Sequence, residues 1–507
     1  MSLGSLSSLR PRDPLAPHRR RAALLVATAL GLALLAPTGA LAQQEPGEPV
    51  PTALDLQVPE RQYAGTTAVV AGVLTEEAGA EPVEGAAVLF ERRTGGEWAE
   101  LATVPTDAEG RAEASFQVAR RHQDNRVRAS YAGEPGTEPG TDPGTDPGTA
   151  PSEAGPSTVA IRRRGVQVRV GGPDEVVDEQ SVKIWIRVRT GTGTPVQTKV
   201  RLQRRDPGGD WRTVRRLRTD AEGRRTLTST PRVDTRWRVR TAKTSWLRKG
   251  RSRVHRIDNL PPGEPVSLPA KAPSPRRSLP TQARAVGEGA NGVVRRIPDK
   301  VWRSMVGRSW HRGCPVGRQG LRLLRINYWG YDGYRYRGEL VANADAIGRM
   351  KGALTAMYAQ ELPIYRMYRV DRFGWSKKLQ GADDYASMAA DNTSAFNCRQ
   401  VVGRPGVRSP HAYGRSLDLS PWENPYYAGK WHPNGWWVGR THPRVAWRSS
   451  GHAVVTIMRN HGLRWTYGTR DAHHFDASPG GGKRPAGPVA SMAYPELPPV
   501  CEVEVCD

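Results

Sequence analysis

The chain has 507 residues, which is too long for one ordinary domain, and 37% of them are hydrophobic, enough for packed cores. With 75 Lys and Arg against 50 Asp and Glu the net charge is +25; five arginines and one aspartate in residues 1–42 account for +4 and leave +21 on the rest. Such an excess favours polyanionic partners, among which nucleic acid, anionic lipid and acidic wall polymers all qualify.

The N-terminus narrows that choice. Arg19, Arg20 and Arg21 precede an apolar run from Ala22 to Ala36, followed by Pro37, Gly39 and Ala40-Leu41-Ala42. This order reads as a secretory signal over residues 1–42, cut after Ala42. The apolar run is shorter than the ~20 residues that span a bilayer, so an uncleaved anchor is the lesser alternative. The paired arginines leave a twin-arginine export route open. No later stretch is expected to span a membrane. An exported protein rarely meets nucleic acid, so wall polymer is the expected partner of the positive charge, and nucleic acid is not.

Residues 43–133 form the first expected module. Residues 134–157 read EPGTEPGTDPGTDPGTAPSEAGPS, a repeat that cannot bury apolar surface and so predicts a solvated linker. A second module spans 158–258. Thr106-Asp107-Ala108-Glu109-Gly110-Arg111 in the first module recurs as Thr219-Asp220-Ala221-Glu222-Gly223-Arg224 in the second, and Trp98 recurs at the same offset as Trp211. This is an internal duplication. Asp-Ala-Glu-Gly is turn chemistry. Val182, Ile184, Ile186 and Val188 alternate with Lys183, Trp185, Arg187 and Arg189, the period of a half-buried strand. Short strands in 80–100 residues predict two all-β sandwich modules, which resemble bacterial immunoglobulin-like wall modules. Between Val159 and Arg256 there are 27 Lys and Arg against nine Asp and Glu. That face is either a soluble basic surface or a dock for anionic wall polymer.

A second linker, rich in Pro, Ala, Arg and Ser, is expected at 259–292, and the last domain at 293–507. In it Asn343 is expected to cap a helix carrying Ile347, Met350, Leu354 and Met357, ended by Pro363. Another helix is expected from Ser449 to His461, with Gly462 at its C-terminal cap. Leu463-Arg464-Trp465 looks like a strand. The mixture predicts an α+β domain. Four cysteines, Cys314, Cys398, Cys501 and Cys506, allow three connectivities, of which Cys314–Cys398 with Cys501–Cys506 is favoured. A cysteine zinc site is the weaker alternative, because no Cys-x-x-Cys pair exists.

The chemistry concentrates in Ser409-Pro410-His411-Ala412-Tyr413-Gly414-Arg415-Ser416-Leu417-Asp418 and in Asp471-Ala472-His473-His474-Phe475. Leu417 and Leu419 flank Asp418, which therefore faces the opposite side, and Gly414 permits a tight path between His411 and Asp418. Two imidazoles and a carboxylate, His411, Asp418 and His474, make a three-ligand zinc set that leaves a fourth position open. Amide hydrolysis also needs a base for water and an acid for the leaving amine. Asp471, three positions before His474, is placed to do both. His432, His442, His452 and His461 read as surface or helix residues. Trp422, Trp431, Trp436 and Trp437 either pack or line a sugar groove, packing being preferred.

Ser-x-His-x-x-Gly-x-x-x-Asp followed by Asp-x-x-His-Phe resembles the VanY-type D-alanyl-D-alanine carboxypeptidase family, which shares its zinc-peptidase fold with Hedgehog domains. Ser309-Trp310, Cys314-Pro315, Gly338-Glu339-Leu340, the 391–399 segment and Asn424-Pro425-Tyr426 agree with it. The resemblance covers the last 200 or so residues. It implies His411, Asp418 and His474 as zinc ligands, Asp471 as the base, Arg399 as a catalytic arginine in contact with substrate, and Ser409 beside the substrate. It departs from the family in having Ser416 where alanine is usual, and Trp465-Thr466-Tyr467-Gly468 in place of a Trp-Gly-Gly run. The expectation is an exported zinc peptidase, carboxypeptidase or endopeptidase, acting on peptidoglycan peptides. The alternative is a non-catalytic wall-binding protein with a structural zinc site.

Overall fold

Alternating burial shapes the N-terminal strands. In the computed structural model, which describes residues 48–77, 81–136, 147–275, 277 and 279–477, seven strands build the two larger sheets of the first unit. They are β1 (Thr52–Gln57), β2 (Thr67–Glu76), β3 (Ala87–Thr94), β4 (Glu97–Pro105), β5 (Arg111–Gln117), β6 (Arg126–Tyr131) and β7 (Ser152–Thr158). Ala112, Ala114 and Phe116 of β5 are buried, and Glu113 and Ser115 between them are exposed. The strands form antiparallel sheets ordered β1-β2-β5 and β7-β6-β3-β4. Residues 152–157, expected as the end of the linker, instead form β7, because their backbone finds a ladder partner in β6. The leader at 1–42, residues 137–146 of the repeat, and Cys501 and Cys506 lie outside the described residues. The chain divides after Ala160 into two units.

The second unit begins with the basic module. Its strands are β8 (Val166–Gly171), β9 (Glu175–Val177), β10 (Val182–Thr190), β11 (Lys199–Arg205), β12 (Arg212–Arg218), β13 (Arg224–Ser229), β14 (Thr235–Thr241), β15 (Gly250–Arg251) and β16 (His255–Leu260). One sheet runs β8-β10-β13 and the other β9-β16-β14-β11-β12, with β15 paired to β14. Ile184, Ile186 and Val188 of β10 pack with Val200, Leu202, Trp237, Val239 and Ile257 from the other sheet. Burying each aliphatic side chain contributes roughly 1.5–3 kcal/mol.

The duplicated hexapeptide is a duplicated turn. Asp107 Oδ1 accepts Arg111 N–H at 2.8 Å, and Asp220 Oδ1 accepts Arg224 N–H at 2.6 Å. Gly110 and Gly223 have φ of 69° and 71°. A Cβ there would lie 2.4 Å from the Leu74 carbonyl oxygen or 2.2 Å from that of Val188, so only glycine fits.

The C-terminal domain is built on an antiparallel sheet of β17 (Val293–Arg296), β18 (Leu321–Trp329) and β19 (Arg335–Asn343), with helices α1 (Asp299–Met305), α2 (Ile347–Ala359), α3 (Asp384–Ala389) and α4 (Ala453–Asn460). β18 is buried on both faces. Leu324 and Ile326 meet Met350, Leu354, Met357 and Met458 of α2 and α4, whereas Leu321 and Leu323 join Val301, Met305, Phe396 and Ala412. The second face carries the loops of the site described below. Asn343 does not cap α2. Its carbonyl and side chain serve the preceding turn and Tyr413, and Ala346 occupies the cap position. α4 starts at Ala453 because His452 caps it, Nδ1 accepting Val454 N–H at 3.2 Å. Of the expected strand 463–465, only Arg464 makes a bridge, to Asp476.

Residues 261–275 and 279–285 run as a strap along this domain. Val266 N–H donates to Tyr331 O at 2.7 Å, Arg337 N–H to Ala283 O at 2.7 Å and Ala285 N–H to Arg335 O at 3.0 Å, which covers the free edge of β19. Leu268 and Ala272 pack on Trp422 and Trp437, so these two tryptophans are packing residues. Glu179 of the basic module pairs with Arg335 and, at 3.0 Å, with Arg232. No helix of the described residues is long and apolar enough to cross a membrane.

Candidate metal centre

Two short strands set the centre. β20 (Ser416–Asp418) pairs antiparallel with β21 (His474–Asp476), placing Asp418 opposite His474, Leu417 opposite Phe475 and Ser416 opposite Asp476. Period two sends Leu417 and Phe475 into the core, where both are fully buried. Asp418 and His474 share the other face. His411 comes from a single 3₁₀ turn over Pro410–Tyr413, capped by Ser409, whose Oγ accepts His411 N–H at 3.3 Å. Gly414 ends that turn at φ 68°, and a Cβ on it would lie 2.7 Å from Asn343 N.

Three side chains converge. His411 Nε2 lies 3.0 Å from Asp418 Oδ2 and 3.1 Å from His474 Nδ1, and His474 Nδ1 lies 3.0 Å from Asp418 Oδ1. Partners behind the rings fix the tautomers. His411 Nδ1–H donates to Ala395 O at 2.7 Å, and His474 Nε2–H donates to Asp476 Oδ1 at 3.0 Å. Each imidazole therefore turns a lone pair toward a carboxylate, an arrangement that only a cation or a proton relieves. Ligands about 2.0–2.1 Å from a tetrahedral zinc stand about 3.3 Å apart, so the group could accommodate such an ion with an opening of a few tenths of an ångström. Where a proton and not a cation fills the gap, burial still acts to raise the Asp418 pKa, but the charges on His411 and His473 and the hydrogen bonds then given by His411 and His474 outweigh it and hold the carboxyl well below its ordinary value.

Asp476 was not visible in the sequence as a site residue. Its carboxylate is fully buried and also accepts Ser416 Oγ–H at 2.6 Å and Thr466 Oγ1–H at 2.7 Å. A histidine whose remote nitrogen donates to a held carboxylate is the usual support of a metal-bound ring. The only sequence signal is its two-residue offset from His474, which in a strand means the same face.

A cavity of about 330 Å³ opens over these atoms, lined by Arg399, Arg404, Ser409, Tyr426, Tyr427, Tyr467, Arg470, Asp471 and His473 among others. Among the described residues Asp471 Oδ1 has no hydrogen-bond partner, and it lies 3.3 Å from His473 Nε2. Burial raises its pKa, against the opposing pull of His473 and His474. His473 Nδ1–H donates to Asn424 O at 2.6 Å, and Nε2 stands 3.8 Å from Asp418 Oδ1. His473 is thus a neighbour of both carboxylates and not one of the three converging side chains. Arg399 is held by Asp384 at 2.6 Å and by Gln400 O at 3.1 Å, and among the described residues its Nε has no partner. Asp384 was a second residue the sequence did not reveal. Ser409 lines the cavity but is 1% exposed, its hydroxyl engaged in the cap. His432, His442, His452 and His461 lie outside the converging group. Cys314 and Cys398 form a disulfide, so the His311–Cys314–Cys398 cluster offers no thiolate to a metal.

Residues 402–477 match the model of a family described as D-alanyl-D-alanine carboxypeptidase. The match contains His411, Asp418, Asp471 and His474, and it agrees with a VanY-type domain at the C-terminus; Arg399 lies just before it. No curated protein matches the chain. Among solved structures, the native conformation of E. coli alpha-2-macroglobulin, from cryo-EM, is similar at 11% identity and a TM-score of 0.18, over 45% of this chain and 19% of that one. The chain therefore spans about a fifth of that protein's length, and a likeness at this level carries no argument.

Proposed function

We propose that the chain is an exported zinc peptidase that hydrolyses an amide bond in peptidoglycan stem peptides, with His411, Asp418 and His474 as the zinc ligands. The observation that carries this reading is the convergence of two oriented imidazole lone pairs and a carboxylate at 3.0–3.1 Å under a cavity that also holds a carboxylate oxygen without a partner. Zinc bound there supplies a Lewis acid that polarises the scissile carbonyl and acidifies the attacking water. Asp471 takes the water proton and returns it to the leaving amine. Burial suits it to this work, because a carboxyl with a raised pKa passes protons nearer neutral pH. Arg399, held by Asp384, presents its remaining N–H donors to a substrate carboxylate or carbonyl. Tyr426, Tyr427 and Tyr467 line the cavity. The two β modules are read as immunoglobulin-like, and the protein as secreted or wall-associated.

The rival is a wall-binding protein with a structural zinc site. A structural site has its fourth position filled by protein. Here the three-ligand group faces a cavity, and Asp471 is retained. The test is Asp471→Asn, with zinc content and the peptides released from purified peptidoglycan both measured. A full zinc complement with release lost is expected. Release at the parent rate would overturn the reading.

A further inference from the structure

The basic module carries a second surface, unrelated to the metal centre. The antiparallel register of β12, β11, β14 and β15 sets Arg216 opposite Arg201, Arg201 opposite Arg240, and Arg240 opposite Arg251. Directly opposed residues share a face, so four arginines stand in one rank across four adjacent strands. Val200 and Leu202 beside Arg201, and Val239 and Thr241 beside Arg240, are buried, and all four arginines are exposed. At a strand spacing of about 4.8 Å the rank is about 14 Å long. Lys199 opposite Arg218 extends it two residues along the strands.

Among the described residues none of the four makes an ion pair. Of the acids nearest in sequence, Asp206 is engaged by Arg204 and Arg212, Asp220 by Arg224 N–H, Asp234 by Asn259 N–H and Asp258 by Arg256. Like charges directly opposite one another across strands destabilise a sheet. A surface that served solubility alone would intersperse both signs. Arg238, on the same face, has its pKa lowered by burial and then by Arg240, Arg251 and Arg205, which marks the local excess of positive charge.

We propose that the Arg216–Arg201–Arg240–Arg251 rank is a docking site for a linear phosphodiester polymer without bases, the chemistry of an anionic wall polymer. An extended polyanion presents several charges in line, and the rank presents several in line to meet them. Single-stranded nucleic acid is the less suitable occupant, because it needs open aromatic faces on which bases stack. Trp211, the aromatic on this face, is already occupied: Arg238 lies 4.1 Å and Arg205 5.3 Å from its ring centroid. The proposal does not depend on hydrolysis, and Asp471→Asn binds the polymer as the parent does.

The experiment measures binding of the full chain to long-chain inorganic polyphosphate between 50 and 200 mM salt. Four arginines at ~0.7 counterions each give a log–log slope of about −3, a loss of roughly 50-fold in affinity over that range. The double variant Arg201→Gln, Arg240→Gln halves the slope. Its thermal midpoint equals or exceeds the parent's, since like-charge neighbours have been removed. The control pair Arg169→Gln, Arg187→Gln lies on the opposite sheet, where the two residues face each other across β8 and β10, and it leaves the slope unchanged. Equal effects from both pairs would mean diffuse attraction and overturn the site. Tighter binding of mixed-sequence single-stranded RNA than of polyphosphate would overturn the ligand class.

Discussion

Asp476→Asn alters one atom behind His474 and should weaken zinc binding by about 10- to 100-fold, or roughly 1.4–2.7 kcal/mol. The size follows from the hydrogen bonds around the carboxylate. Asp476 accepts from His474 Nε2, Ser416 Oγ and Thr466 Oγ1 at 3.0, 2.6 and 2.7 Å, all inside the protein. Burial acts to raise its pKa, but hydrogen bonds from His474, Ser416 and Thr466 hold it below the ordinary value, so it is ionised and makes the imidazole a stronger donor to a metal. An asparagine oxygen can still face His474 and Ser416. Its amide then meets Thr466, whose hydroxyl can turn to accept. The fold is kept and the charge is lost. Ser416→Ala removes a single donor, worth about 1 kcal/mol, and should cost zinc affinity less than about fivefold. Both affinities are read by competition with a chromophoric chelator, and circular dichroism checks the fold. An Asp476→Asn affinity within twofold of the parent, or a larger loss from Ser416→Ala, would refute the reasoning.

Gly414→Ala should lower the unfolding free energy of the C-terminal domain by more than about 2 kcal/mol, from the left-handed backbone at φ 68° together with the 2.7 Å approach to Asn343 N. Urea denaturation measures it, and a change under 0.5 kcal/mol (roughly a neutral surface substitution) would contradict the steric account. The buried Asp391–Glu423 pair gives a pH dependence. Burial raises Asp391 to about 6, Trp422 N–H donates to its Oδ1 at 3.0 Å, and Tyr331 O–H donates to Glu423 Oε2 at 3.0 Å. A carboxyl raised on folding stabilises in its protonated form. That contribution is complete below the unfolded pKa and is lost as pH rises through about 6, a swing of about 3 kcal/mol. In Glu423→Gln the amide donates to an ionised Asp391, and calorimetry at pH 5 and pH 7 should show the pH dependence flattened; an unaltered pH profile would exclude the pair as its source.

What could be read in advance was whatever is encoded locally. The hexapeptide duplication marked two equivalent turns because Asp, Gly and the four-residue spacing are all local to the turn. Alternation around Asp418 gave its facing, since Leu417 must go to the core. The pairing of Asp418 with His474 across 56 positions is a matter of tertiary register, which a single sequence does not carry. Asp476, Asp384 and the Ala395 carbonyl escaped notice for that reason: they act as partners of site residues, and one of them acts through its backbone. Asn343 looked like a helix cap by residue type, but its side chain was claimed by the adjoining turn and by Tyr413. The Pro-rich stretches at 152–157, 261–275 and 279–285 lack internal periodicity because their hydrogen-bond partners lie on other segments.

The strap over β19, with the Glu179–Arg335 pair beside it, changes how the basic module and the C-terminal domain move relative to each other. A loose tether lets an attached domain sweep a volume whose radius grows with the square root of linker length. A segment hydrogen-bonded along its course removes that freedom. The two parts then diffuse, rotate and bear load as one body. Were the module held on a surface, the cavity would sit at a fixed height and heading above it, and bonds outside that narrow zone would stay out of reach however long the protein remained attached.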